Sequence, residues 1–155
     1  MGGLSIDLKI CNLTEEFTVD EVGRIADMFE YDLKNAVYLE MWSEKEFRRY
    51  FEFGEKELVN PLTGELHKPN GWYNLKRVKD VPSVFRHEIA LIMNDIWKKT
   101  LFHELMHCRQ AENIGVCWRM LEDIFENKRS EDPFEFHAEY YAINKIKEMD
   151  DEQKP

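Results

Sequence analysis

The chain has 155 residues, the length of one ordinary domain and enough to bury a core. A hydrophobic share of 43% with 13% aromatic residues excludes a disordered chain. The formal charge of -10 disfavours direct binding to nucleic acid or to anionic membrane, because like charges repel. Three cysteines, Cys11, Cys108 and Cys117, are too few and too widely spaced for a disulfide framework or a thiolate metal site. Each is read as a small buried apolar residue.

Met1–Asp7 carries no basic stretch followed by an apolar run, and no segment approaches membrane-spanning length. A cytoplasmic location is therefore expected. Residues 1–149 are read as one domain, with a polar, frayed tail over 150–155. Leu4–Ile10 alternates apolar and polar residues, the pattern of a half-buried strand. Thr18 with Glu21 three positions later opens a helix bearing Val22, Ile25, Ala26 and Phe29 on one stripe. Ser43 with Glu46 opens a second, carrying Phe47, Tyr50 and Phe51.

Between Glu57 and Tyr73 the dipeptides Asn60-Pro61, Thr63-Gly64 and Asn70-Gly71 punctuate short extended pieces, so one or two hairpins are expected. Val84–Met93 reads as a strand. Asn94-Asp95 ends it and caps a helix to about Ala111. Asn113-Ile114-Gly115 breaks that helix, another runs to about Asn127, and Asp132-Pro133 opens the last, to about Met149. The order of elements predicts an α+β fold, a short twisted sheet packed on the middle helix with further helices after it.

That middle helix contains His103-Glu104-Leu105-Met106-His107. Histidines four apart project from one helix face one turn apart, and both imidazoles can reach one zinc ion. Glu104 stands beside them as a general base toward water activated by the ion, whose pKa falls to roughly 7 on zinc. His103, His107, Thr100, Ile96 and Gln110 share a face, while Trp97, Leu101, Leu105 and Cys108 form an apolar stripe. Polar groups on so apolar a helix need partners. His87-Glu88 is no second motif, since Leu91 stands where the second histidine would fall; His87 and His67 are read as surface or strand residues.

A catalytic zinc takes three protein ligands and leaves a position for water. Downstream of His107 the candidates are Glu126, Glu135, His137 and Glu139. Three of them have an ordinary alternative: Asp132 with Glu135 makes a capping box, His137 packs beside Phe134 and Tyr141, and Glu126 is a solvated charge. The motif His103-Glu104-x-x-His107, followed by a helix with Glu135, Ala138, Glu139 and Ala142, resembles the gluzincin branch of the zincins, in particular ImmA/IrrE-like and phage-type metallopeptidases. The resemblance covers about Ile89–Ile143. His137 and Glu139 depart from the family pattern, and Ile143-Asn144-Lys145 replaces its apolar ending. It implies a zincin-like fold, zinc, and Glu135 as third ligand.

On the last helix Glu135, Ala138 and Ala142 lie near one face, so small alanines allow close approach while the carboxylate reaches the ion. Glu139, one turn on, is then placed to accept a hydrogen bond from a free ring nitrogen of His103 or His107. His137 lies about 200° around the helix from Glu135, so the two cannot easily share one ion; His137 is the alternative third ligand. Tyr73, Tyr140, Tyr141 and Arg109 are candidate donors to a transition-state oxyanion. The expected function is a zinc metallopeptidase acting on a peptide or protein laid along Arg86–Met93 as an edge strand, with Asn60–Tyr73 rimming the cleft. The alternatives are a non-catalytic binding or regulatory protein on the same scaffold, or a metal-free domain in which the motif is coincidental.

Overall fold

The computed structural model describes residues 6–77, 85–126 and 128–152. The fold is α+β. Strand β1 (Leu8–Asn12) leads to helix α1 (Val19–Ala26), strand β2 (Val37–Trp42) and helix α2 (Glu44–Tyr50). A short hairpin, β3 (Leu58–Val59) and β4 (Leu66–His67), precedes the long strands β5 (Gly71–Arg77) and β6 (Phe85–Ile92). Helices α3 (Trp97–Ile114), α4 (Trp118–Phe125) and α5 (Pro133–Glu152) complete the described chain.

The main sheet runs β1-β2-β6-β5. The first three strands are parallel, and β5 pairs antiparallel with β6. β6 is thus a central strand and not the edge that sequence analysis made of Arg86–Met93; the edge beside α3 is β5. Its central place explains the unbroken run Ile89-Ala90-Leu91-Ile92, buried on both faces. β2 was assigned no strand from sequence, although Val37, Leu39 and Met41 are all essentially inaccessible in its alternating pattern.

The core lies between one sheet face and the helices. Val22 and Ile25 of α1, Leu39 and Ile89 of the sheet, Leu101, Phe102 and Leu105 of α3, and Ala138 and Ala142 of α5 belong to it. On the opposite face Phe47 of α2 packs with Ala90 and Ile92. Two caps anticipated from sequence form: Thr18 Oγ1 accepts from Glu21 N at 3.2 Å and Ser43 Oγ from Glu46 N at 3.3 Å. The cap expected of Asn94-Asp95 does not: Ile96 stands at the start of α3 without a side-chain cap, and Asn94 Oδ1 accepts from Ile96 N instead. Pro133 opens α5, where Asp132 Oδ1 accepts from Phe134 N at 2.9 Å. Helix α3 ends one turn beyond the expected point, at Gly115, whose φ of 67° only glycine adopts without cost.

Two further expectations are corrected and one is met. Cys108 is buried, but Cys11 and Cys117 are exposed. Asp150–Glu152 are not a frayed tail but the last residues of α5; 153–155, like Leu4, Ser5, Val84 and Asn127 of other expected elements, lie outside the described residues. Of the hairpins expected before Tyr73, β3–β4 forms, closed by Asn60, whose Oδ1 accepts from Leu62 N and Thr63 N. Among the described residues no helix is long and apolar enough to cross a membrane.

Candidate metal centre

Helix α3 is buried nearly all round, including Thr100, His103, Glu104, His107 and Gln110. The antiparallel edge strand β5 flanks it on one side and α5 on the other. Gly71, the first residue of β5, lets that strand approach: a Cβ there would stand 2.7 Å from Thr100 Cγ2 and 3.7 Å from Glu104 Cγ. Above the helix opens a cleft of about 440 Å³, bordered by the β3–β4 hairpin, β5, α3, Trp118 of α4 and the start of α5.

His103, His107 and Glu135 converge at its floor as three potential ligands. The two Nε2 atoms are 3.1 Å apart, Glu135 Oε2 is 3.2 Å from His103 Nε2, and Oε1 is 2.9 Å from His107 Nε2. Ligand atoms of a tetrahedral zinc site with Zn–N near 2.0–2.1 Å stand roughly 3.3 Å apart, close to this triangle.

The outer ring nitrogens are both engaged. His103 Nδ1 lies 3.0 Å from Glu139 Oε1 and His107 Nδ1 lies 2.8 Å from Gln110 Oε1. Gln110 Nε2 donates to the Phe134 carbonyl, so its Oε1 faces His107 as an acceptor. Each Nδ1 therefore carries a proton, and the two Nε2 atoms with Glu135 between them form the place where positive charge, a second proton or a shared cation, is accommodated. Glu139 is itself held by Asn60 Nδ2 at 2.9 Å and Lys99 Nζ at 3.0 Å, both on Oε2.

The same demand for positive charge appears in the titration of these groups. Burial opposes the His103 imidazolium, yet hydrogen bonds to Glu135 and Glu139 outweigh it and push its pKa to about 10. Burial likewise opposes charge on His107, but Glu135 raises it. Burial would lift Glu135, but His107 and His103 hold it well below the carboxylate range. Burial also works against Glu139, whose bonds to His103 and Lys99 bring it to about 2. Glu104 behaves oppositely: burial raises its pKa, and its Oε2 has no hydrogen-bond partner among the described residues.

The other sequence candidates fall outside the triangle. Glu126 is exposed at the end of α4. His137 is exposed on α5 and stays out of the triangle, its Nδ1 accepting from Gln110 Nε2 at 2.9 Å. Tyr140 is 58% exposed and stacked on Phe136. Tyr141 packs on Phe29, Tyr31 and Phe102, with its hydroxyl toward Glu30. Arg109 lies 3.5 Å over the Tyr31 ring. Tyr73 borders the cleft, but its hydroxyl meets His87 Nδ1 at 2.7 Å. His87 is a strand residue, fully buried in β6, and its Nε2 meets Glu112 Oε2 at 2.7 Å.

Four contributors went unrecognised in the sequence. Asn60 stood in the sequence as a turn residue on the cleft rim, with no sign of its bond to Glu139, and Lys99, Trp118 and Arg129 carried no motif. Arg129 Nη2 sits 2.9 Å from Glu135 Oε2. The Trp118 ring lies 5.7 Å from that of His107. Compared with known protein families, curated proteins and solved structures, the chain matches none.

Proposed function

We propose that the chain is a zinc-dependent metallopeptidase of the zincin type, hydrolysing peptide bonds in a peptide or protein substrate. One observation carries the reading: a buried glutamate with an unpartnered oxygen, Glu104, next to a two-histidine, one-carboxylate triangle at the floor of a cleft. A structural metal site has no use for such a group.

His103, His107 and Glu135 would hold the ion. When bound, it supplies Lewis acidity, polarising a water molecule and the scissile carbonyl. The protein supplies the rest. Glu139 and Gln110 keep the Nδ1 protons in place, so both Nε2 atoms remain available as ligands. Glu104, its pKa raised by burial, takes the proton from water and delivers it to the leaving amine as the C–N bond breaks. The substrate backbone extends along β5, the end strand of the main sheet among the described residues, as an added strand.

Glu104→Gln tests this. The variant retains zinc, measured by metal analysis, while cleavage of a peptide library falls by about a hundredfold or more. Unchanged cleavage in the variant refutes the role of Glu104. A zinc-loaded wild type that cleaves nothing supports the non-catalytic reading instead.

A further inference from the structure

A peptidase of this kind must stabilise negative charge as it develops on the scissile carbonyl oxygen, and all four donors anticipated from sequence are engaged elsewhere or face away. Two other residues of the cleft wall have donors to spare. Arg129 Nε and Trp118 Nε1 are buried and lack any acceptor among the described residues. A buried donor left unpaired is costly and rare, and these two border the same cleft as the unpartnered Glu104 Oε2.

We propose that Arg129, with Trp118 beside it, forms the oxygen-binding wall of the site and that the Arg129 guanidinium holds the carbonyl oxygen of the scissile amide. This rests on the peptidase reading. Arg129 is one carboxylate removed from the histidine pair: its Nη2 meets Glu135 Oε2, and Glu135 meets both Nε2 atoms. Lys99, the nearest competitor, is also one carboxylate away, but its partner Glu139 meets the outer Nδ1 of His103, whereas Glu135 meets the inner Nε2 atoms. A guanidinium keeps several donors in a fixed fork after one is spent on Glu135, which an ammonium cannot do. The side chain is 26% exposed, so it is reachable from the cleft.

Arg129→Ala, Arg129→Lys and Trp118→Phe are compared with wild type in three measurements: zinc affinity, kcat and KM at saturating zinc, and affinity of the metal-free protein for a phosphinic peptide analogue. The analogue presents tetrahedral anionic oxygens without being cleaved. Expected for Arg129→Ala is a loss of about a hundredfold to a thousandfold in kcat. Zinc affinity changes by less than tenfold, and binding of the analogue is lost. Arg129→Lys, which keeps the charge and so guards against a folding defect, recovers only part of kcat. Trp118→Phe weakens analogue binding with the ring retained. If Arg129→Ala weakens zinc while kcat at saturating zinc and analogue affinity stay at wild-type values, Arg129 merely supports Glu135 and the proposal fails. If the wild type cleaves nothing yet binds the analogue through Arg129, the peptidase reading falls while the oxygen-binding wall stands. Equal analogue binding by wild type and all variants overturns the wall itself.

Discussion

Replacing Gly71 by alanine tests the seat of the edge strand on the helix of the proposed base. Thr100 and Glu104 are one turn apart on α3 and both face Gly71. The new Cβ would stand 2.7 Å from Thr100 Cγ2 and 3.1 Å from the Ala90 carbonyl oxygen. Carbon atoms pack at roughly 3.5–4.0 Å, so the overlap with the threonine methyl approaches about 1 Å. The main-chain oxygen cannot rotate aside, and Thr100 Oγ1 is tied to the Ile96 carbonyl at 3.3 Å. Either β5 lifts or α3 yields, and overpacking of this kind costs about 1–3 kcal/mol. For a chain of this size each kcal/mol lowers Tm by roughly 2–4 °C. Thermal unfolding of the metal-free protein gives the value. Thr100→Ser removes the colliding methyl and keeps the hydroxyl, so the double variant should recover most of the loss. Any defect in cleavage should recover with it, since Glu104 Cγ at 3.7 Å is only in ordinary contact. An unchanged Tm in Gly71→Ala, or a double variant no better than the single, refutes the close-approach argument.

Glu139 has a pKa of about 2 in the folded chain, below its unfolded value. Its contribution to stability is therefore present above the ordinary carboxylate range and lost as pH falls through about 2; the gap in unfolding free energy between metal-free wild type and Glu139→Gln should narrow across that window. A gap that widens on acidification would contradict the assignment. Ala142, inaccessible in the core on the same face of α5 as Glu135, should not tolerate leucine: about 1–3 kcal/mol of stability is lost in denaturant unfolding, and wild-type stability would mean that the α3–α5 contact is looser than described.

Local chemistry made the helices readable. Thr18, Ser43 and Asp132 cap where their side chains predict, and Gly115 ends α3 because the chain turns there through positive φ. The pairing of strands was not readable. β6 became an edge strand in the sequence because its partners Val37–Trp42 and Gly71–Arg77 are distant in the chain, and nothing local records that both sides are hydrogen-bonded. The pairing of His103 with His107 was legible in helix periodicity, while the choice of Glu135 among the later candidates leaned on the family resemblance as well as on the shared face of Glu135, Ala138 and Ala142. The support around the site was not legible. Asn60, Lys99 and Arg129 reach Glu139 and Glu135 from loops or from another face of α3, and such contacts depend on tertiary approach that spacing cannot express.

His137 shows how a residue excluded as a ligand can still touch the site. It is turned away from Glu135 by its helix position, and its ring accepts from the Gln110 amide that orients His107. The chain His137, Gln110, His107 predicts a graded effect on zinc affinity. Glu135→Ala removes a ligand and should lose the metal at concentrations that saturate wild type. Gln110→Ala leaves three ligands but frees the His107 ring to rotate or change tautomer, and loss of such a partner typically costs about ten to a hundredfold. His137→Ala removes only one of two bonds on the Gln110 amide, the other going to the Phe134 carbonyl, so its effect should stay below that of Gln110→Ala. Zinc titration against a competing chelator gives all three values. If His137→Ala strips the metal while Glu135→Ala retains it, the third ligand is a histidine and the helix geometry that assigns Glu135 is wrong. If Gln110→Ala binds zinc as tightly as wild type, the His107 ring is fixed by packing against Tyr73 and Trp118 rather than by its hydrogen bond.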